Sequence, residues 1–199
     1  YYCIFYSSNN ALDEVEVYWE VISMIYLNSI LEKEIFYSQF STERNWIKDF
    51  PKEKWAIIIV ADEKNSNYFS EIINKCINRN VALITSVGKQ YDSIHDLADE
   101  EIVFREVDIE KLYLPKHSII TIGEKNFENG IWEGIYMSLN EEVEIKKIVI
   151  LDIERKFFEE IKKLIEKFKN GYLPESDWKI QKIISLNLQK NRERNQQIA

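Results

Sequence analysis

Four short apolar runs mark the middle of the chain, at residues 56–61, 81–85, 118–122 and 147–151. Each is rich in β-branched residues and bounded by polar ones, which is typical of strands covered on both faces. Between the runs, apolar residues recur every three or four positions, as on one face of a helix. These residues are Phe69, Ile72, Ile73, Cys76 and Ile77 after the first run, and Phe157, Phe158, Ile161, Leu164, Ile165 and Phe168 after the last.

This alternation of strands and helices predicts an α/β fold whose sheet is parallel and whose crossovers are right-handed. The expected architecture is a three-layer, Rossmann-like or flavodoxin-like open sheet of four to five mainly parallel strands. Residues 3–6 are apolar enough to supply the fifth strand. The last helix should end at Gly171, which suits a helix C-terminus, and Pro174 should prevent its continuation.

Three segments depart from this alternation. Residues 12–32 carry apolar side chains at helical spacing and predict an extra N-terminal helix, within a helical insertion over 12–50. Residues 174–199 predict a C-terminal helical extension or tail after a single α/β domain over 1–173. Between the second and third strands, residues 89–117 should hold a short helix near Ile94 and an extended piece at 103–105.

Two glycines interrupt the helix that follows the third strand. Gly130 and Gly134 lie four residues apart beside its apolar stripe. Glycine costs about 1 kcal/mol in a helix interior relative to alanine. Their spacing therefore predicts that a neighbouring backbone packs close against this side of the helix, rather than that a ligand binds there.

Composition and charge exclude several classes of function. The 199 residues include 34 acidic and 26 basic side chains, a net charge of −8, so the protein should repel nucleic acid. No apolar run reaches the ~18 residues that span a bilayer, so no membrane partner is expected. Two cysteines without a CxxC pattern favour buried thiols in a reducing cytoplasm. The abundance of Ile, Lys, Asn and Glu suggests a bacterial source.

Polar residues follow the predicted strands at the edge where an open parallel sheet binds ligands. Carboxylates at this edge can hold Mg²⁺ or act as general acids and bases. They can equally cap the helices that follow and stabilise the helix dipole, which is the interpretation we favour. The candidate ligand-binding residues are Asp62, Glu63, Ser86, Lys89, Glu124 and Asp152.

Specific cofactor and catalytic motifs do not match. The turn after residue 61 has no glycine, unlike the dinucleotide fingerprint, and neither a Walker A motif nor G-x-S-x-G occurs. Asp62 and Glu63 look like the acidic pair of a phospho-receiver domain, but Asp152 stands where that family has a lysine. His95 shares a helix face with Asp92, Asp96 and Asp99, which favours a solvated acidic face over a metal site. We expect no cofactor and no metal, and assign no catalytic residue.

The order of elements resembles a group of uncharacterised bacterial short Rossmann-like domains over about half of the chain. The matching features are the start at residues 1–5, the approach of Phe50-Pro51 to the first strand, the stretch 92–99, and Trp132. The extra helix at 12–32 and the C-terminal extension depart from that group. The resemblance implies the fold and leaves the function open.

These observations favour a non-enzymatic cytoplasmic bacterial protein that acts by binding a protein partner, of the immunity or accessory type. An acidic, glycine-poor and aromatic-rich chain suits the covering of a basic toxin or effector. The alternative is a small-ligand or Mg²⁺–phosphate enzyme or sensor that uses the strand-end carboxylates. A third hypothesis is self-assembly into a homo-oligomer through the aromatic N-terminal region.

Overall fold

The structure is a computed structural model that describes residues 24–64, 66–107 and 113–174. Six strands and four helices form within these ranges. The strands are β1 (Ile25–Ile30), β2 (Lys33–Gln39), β3 (Trp55–Val60), β4 (Val81–Val87), β5 (Ile120–Glu124) and β6 (Lys147–Asp152). The helices are α1 (Ser66–Ile77), α2 (Tyr91–Val107), α3 (Phe127–Tyr136) and α4 (Phe158–Lys169).

All six strands belong to one sheet in the order β1-β2-β6-β3-β4-β5. Every neighbouring pair is parallel except β1 and β2, which form an antiparallel hairpin at one edge. The four apolar runs of the sequence are β3, β4, β5 and β6. The predicted α/β fold with a mainly parallel sheet is confirmed, with one or two more strands than expected.

The central strands are buried on both faces, which explains their continuous apolar sequence. In β3, Ile58 points to the layer formed by α3 and α4, whereas Ile57 and Ile59 point to the layer that contains α1 and α2. The segment 40–50 lies on this second side and contributes Trp46 and Phe50 to its core. The sheet is therefore the middle of three layers, as predicted.

The chain adds strands on one side of β3 first and on its other side afterwards, so the strand order changes direction between β3 and β6. After β3 the chain moves through β4 and β5, with α1 and α2 on one face. It then returns through α3, on the opposite face, to place β6 on the other side of β3. The loops after β3 and β6 consequently leave the sheet towards opposite faces, which is the arrangement that creates a ligand crevice in open α/β sheets.

The predicted N-terminal helix is wrong over residues 25–32, and no helix forms over the part of the 12–50 insertion that is described. Residues 25–39 form the β1–β2 hairpin, and residues 42–49 consist of turns. Tyr26 and Ile30 lie four residues apart, a spacing that fits a strand with period 2 as well as a helix. Residues 12–23, the strand predicted at 3–6 and the extension beyond 174 lie outside the described residues.

The segment between β4 and β5 also differs from expectation. Residues 103–105, predicted to be extended, belong to the last turns of α2, which spans 17 residues instead of a short helix. Val103 and Phe104 are exposed while Arg105 is buried. Because this inverts the usual pattern of apolar inside and polar outside, the hydrophobic period of the helix is lost at this point.

The two glycines of α3 allow a close approach, but to side chains and not to a backbone. A Cβ at Gly134 would lie 2.6 Å from Cδ1 and Cγ1 of Ile58, and one at Gly130 would lie 2.7 Å from Cγ2 of Val87. The helix therefore rests directly on β3 and β4. The prediction that a backbone packs against these glycines is wrong, because the sheet presents β-branched side chains, Ile58 and Val87, to the helix.

A buried lysine ties the hairpin to the end of α3. The Nζ of Lys33 donates hydrogen bonds to the carbonyl of Ser138 (2.8 Å), to its hydroxyl (2.7 Å) and to the carbonyl of Ile135 (3.3 Å). Burial lowers the pKa of Lys33 to about 8, so the ammonium remains charged at pH 7. A cation here satisfies the free carbonyls at a helix C-terminus and the helix dipole.

Candidate functional site

The strand order predicts a ligand site at the carboxyl edge of the sheet, between the loops after β3 and β6. Asp152 ends β6 and is fully buried. Its Oδ1 accepts the backbone N–H of Arg155 (2.8 Å), and its Oδ2 accepts the N–H of Phe157 (2.7 Å) and the hydroxyl of Tyr37 (2.9 Å). Asp152 thus holds the turn into α4 and has no oxygen directed at solvent.

Glu154 joins the two loops of this edge. Its Oε1 accepts the backbone N–H groups of Asp62 and Glu63, both at 3.1 Å, while its Oε2 is buried without a hydrogen-bond partner. Burial raises the pKa of Glu154, and the two N–H groups and Lys156 oppose that rise. Glu154 was not among the six candidates, although its position two residues after Asp152 places it at the same strand end.

Asp62 connects the loop after β3 to the loop after β4. Its Oδ1 accepts the backbone N–H of Lys89 at 3.1 Å, and the Nζ of Lys89 lies 3.9 Å from its Oδ2. The two loops approach so closely at Gly88 that a Cβ there would lie 2.7 Å from the carbonyl oxygen of Ala61. Gly88 has a φ of +98°, which also favours glycine. Asp62 and Lys89 therefore come together, as a loop contact.

The remaining candidates are also engaged within the protein. Ser86 is buried, with its hydroxyl 2.8 Å from the carbonyl of Tyr91. Glu124 accepts the N–H of Asn126 at 2.7 Å, just before α3. Glu63 is exposed and forms an ion pair with Lys156 at 3.0 Å. The six candidates thus share one edge of the sheet without converging on one pocket.

This edge offers little to an external anion or metal. The backbone N–H groups that a phosphate would use at such loops are bonded to carboxylates of the chain itself. In the described ranges, no three His, Cys, Asp or Glu side chains are grouped so that they could hold a metal ion. His95 lies 3.5 Å from Asp99 and 3.9 Å from Asp96, both of them exposed. The strand-end carboxylates here hold the loops that leave the sheet in place.

A different surface stands out on the outer face of α2. Val103, Phe104 and Val107 are 54%, 53% and 72% exposed and follow one another at the end of the helix. Large exposed apolar side chains grouped on one element are typical of an interaction site. The sequence pattern did not predict this surface, although the apolar pair 103–104 indicates it once the helix is extended to residue 107.

The inward position of Arg105 explains why these apolar side chains face outward. Its guanidinium donates to Glu101 Oε1 (2.6 Å), Asn78 Oδ1 (2.8 Å) and the carbonyl of Tyr113 (2.7 Å). Glu101 lies one turn earlier on α2, and Asn78 follows α1. Because this polar cluster occupies the α1 side of the helix, the residues on either side of Arg105 are directed to solvent.

Acidic side chains occur along most of the same helix. Of the residues in α2, six are acidic and one, Arg105, is basic. Asp96, Asp99 and Glu100 are exposed next to the apolar group. We call the exposed residues Asp96, Asp99, Glu100, Val103, Phe104 and Val107 the α2 face. Its acidic and apolar halves together can bind a segment that is both cationic and apolar.

Two open concavities lie away from the carboxyl edge. One, of about 290 Å³, lies between α1 and α2, beside the α2 face, and includes Ser70 and Leu97 in its lining. The other, of about 340 Å³, lies near Lys33 and the segment 138–146. Across the described residues, no helix is both long enough and apolar enough to cross a membrane.

The chain resembles one family of known proteins, whose function is unknown. The model of one protein family, described as a domain of unknown function, matches residues 35–170. That span runs from β2 to the end of α4, and so contains the parallel part of the sheet with all four helices. No curated protein and no solved structure matches the chain.

Proposed function

The chain belongs to this family, the domain of unknown function DUF7684, and from its geometry we propose that it is a protein-binding domain that docks a basic, amphipathic partner on the α2 face. The observation that carries the proposal is the exposed apolar group Val103, Phe104 and Val107 beside a row of acidic side chains. In this proposal the protein is not an enzyme and acts as an immunity or accessory protein.

Burial of the apolar half would supply most of the affinity. Covering a side chain such as Phe104 is worth roughly 1.5–3 kcal/mol relative to leaving it in water. Aromatic residues near the centre of an interface commonly contribute the most to binding. The contact of Phe104 with its partner is therefore the one on which binding should depend most strongly.

The acidic half would select the partner and direct its approach. The net charge of −8 and the six acidic side chains of α2 attract cationic surfaces and repel acidic ones. Such steering mainly raises the association rate and weakens with salt. A basic toxin or effector with exposed apolar side chains fits both halves of the α2 face.

The alternative, a small-ligand or Mg²⁺–phosphate enzyme or sensor, has less support. It would use Asp62, Glu63, Glu124 and Asp152, but Asp152 is fully buried and each of the other three has a partner within the protein. A phosphate would first have to displace Glu154 from the N–H groups of Asp62 and Glu63. A rise in melting temperature with Mg²⁺ and nucleotide would favour this alternative.

The proposal places the protein in the cytoplasm of a bacterium. A buried thiol at Cys76, whose pKa is raised by burial, is unreactive and is compatible with a reducing compartment. The acidic composition suits a protein that stays soluble until it meets a basic partner. Fractionation of the native source, followed by detection of the chain in the soluble fraction, tests this location.

Binding to a defined peptide tests the α2 face directly. The probe is a fluorescein-labelled helical peptide of 14 residues made of leucine and arginine, and its acidic counterpart replaces every arginine by glutamate. We expect the basic peptide to bind, with an affinity that falls as salt rises, and the acidic peptide not to bind. The double substitution Val103→Ser with Phe104→Ser should weaken binding about tenfold or more, measured by fluorescence anisotropy.

The matched control is Leu139→Ser, which removes an exposed leucine that lies after α3 and outside the α2 face. It should leave peptide affinity unchanged, and both variants should keep the far-UV circular dichroism of the parent. Equal binding of the basic peptide by the parent and the Val103→Ser, Phe104→Ser variant would contradict the proposal. A dimer that forms on concentration and depends on Phe104, seen by analytical ultracentrifugation, would assign the surface to a second copy of the chain instead.

A further inference from the structure

The concavity between α1 and α2 has a lining that combines apolar, aromatic and acidic groups. Its volume is about 290 Å³, and it is lined by Ser70 of α1 and by Leu97, Glu100, Glu101 and Phe104 of α2. The four α2 residues follow the spacing i, i+3, i+4, i+7, so they form one stripe along the helix. The concavity therefore lies where the acidic half of the α2 face meets its apolar half.

The two glutamates of this lining differ in whether their carboxylates are already paired with a cation of the protein. Glu101 is bonded to Arg105 at 2.6 Å, inside the protein. Glu100 is exposed and, across the described ranges, has no ion-pair partner. It lies one turn before Phe104, so a cation bound to its carboxylate would lie near the ring. Leu97 supplies an apolar wall for the carbon chain that carries such a cation.

We infer that this concavity binds an arginine side chain of the partner, with the guanidinium packed on Phe104 and paired with Glu100. The inference rests on the proposed docking of a basic partner on the α2 face. A guanidinium is flat and delocalised, stacks on aromatic rings and pairs with a carboxylate through two parallel hydrogen bonds. A lysine ammonium is more strongly hydrated and meets a carboxylate as a point charge.

The neighbouring residue Arg105 shows that this part of the structure already accommodates a guanidinium. Inside the helix layer, Arg105 pairs with Glu101 one turn earlier on the same helix. On the outside, Glu100 and Phe104 offer a carboxylate and a ring with the same one-turn separation, but no cation of the described chain lies between them. The partner's arginine would fill that position.

The experiment compares three versions of the labelled 14-residue peptide that differ only at their cationic positions: arginine, lysine, or the neutral isostere citrulline. The protein is the full chain and its variants Phe104→Leu and Glu100→Gln, with Glu160→Gln as the matched control. Glu160 is an exposed acidic residue of α4 that lies outside the α2 face and does not line the concavity. The readout is the ratio of dissociation constants for the arginine and lysine peptides at one salt concentration.

We expect the parent and Glu160→Gln to bind the arginine peptide about fivefold more tightly than the lysine peptide, and the citrulline peptide most weakly. Phe104→Leu keeps an apolar side chain but removes the ring, so it should bring that ratio close to one. Glu100→Gln should lower it as well. Equal affinities of the parent for the arginine and lysine peptides would overturn this inference and leave the docking surface intact, whereas failure of both peptides to bind would overturn the docking surface too.

Discussion

At the scale of single residues, Glu154 combines a structural role with an electrostatic cost. One of its oxygens accepts two backbone N–H groups while the other is buried without a partner, and burial raises its pKa. The folded protein therefore binds a proton at Glu154 more readily than the unfolded chain does. The stability from this protonation is fully present below the ordinary pKa of 4.5 and is lost as the pH rises through the folded pKa.

Substitution Glu154→Gln should remove this cost. The amide oxygen can still accept the two N–H groups and the buried charge is gone, so we expect the free energy of unfolding at pH 7 to rise. The gain should shrink as the pH falls towards 4.5, because the parent then gains a proton at Glu154. Urea denaturation at both pH values measures the difference.

The matched control is Glu63→Gln at the neighbouring loop, where the carboxylate is exposed and pairs with Lys156. Exposed ion pairs contribute little, so its unfolding free energy should stay close to that of the parent at either pH. A Glu154→Gln protein that is less stable than the parent at pH 7 would contradict this expectation.

The residue types at the strand ends were predictable from the sequence, but their partners were not. The expectation that acidic side chains cap the following helix is not met by Asp152, because the N–H groups that it accepts belong to Arg155 and Phe157, in the turn before α4. The tie between Glu154 and the loop after β3 depends on β6 lying beside β3. That neighbourhood is a property of strand order, which the chain's local pattern does not contain.

At the scale of elements, the close packing of α3 on β3 gives a direct test. Gly134→Ala should add helix propensity worth about 1 kcal/mol. The new Cβ, however, would lie 2.6 Å from two atoms of Ile58, and overpacking of this kind typically costs about 1–3 kcal/mol. We expect a net loss of stability, measured by thermal or urea denaturation.

The double variant Gly134→Ala with Ile58→Val identifies the cause. Valine lacks the Cδ1 of isoleucine, so the pair should recover part of the stability lost by Gly134→Ala alone, although Ile58→Val by itself is destabilising. If the stability losses of the two single variants simply add in the double variant, the alanine is accommodated without contact to Ile58, which would contradict the close packing of α3 on β3.

Elements with strong periodic patterns were predictable, and those with ambiguous spacing were not. The central strands and α1, α3 and α4 follow from buried apolar runs and amphipathic stripes. The β1–β2 hairpin was missed because its turn is made by Leu31 and Glu32, both with positive φ, instead of the glycine or asparagine that usually signals such a turn. The end of α2 was missed because Arg105 is inside and Phe104 outside.

At the scale of the whole molecule, the sheet should be least stable at the hairpin edge. β3 and β6 are each paired on both sides, and their residues Ile57 and Val149 are fully buried. In contrast, β1 lies at the edge and pairs with only one described strand, β2. Its pairing also contains a register shift between Tyr26 and Asn28. We expect amides of β1 to exchange hydrogen at least about 100-fold faster than those of β3.

Hydrogen exchange followed by mass spectrometry or NMR measures this difference. The internal reference is β4, which is also paired on both sides and fully buried, and whose amides should exchange as slowly as those of β3. Exchange from β1 at the rate of β3 would show that the hairpin opens only when the whole sheet unfolds, and that the edge strand belongs to the same cooperative unit.

The carboxylate of Glu154 has a consequence for how this domain could acquire a ligand. Because it is tethered to the same chain as the N–H groups it occupies, it competes at an effective concentration of roughly millimolar or more. A free phosphate compound would have to compete with this carboxylate for the two N–H groups. Loss of this one side chain would free the N–H groups of Asp62 and Glu63 from that competitor and leave the other loop contacts of the edge in place.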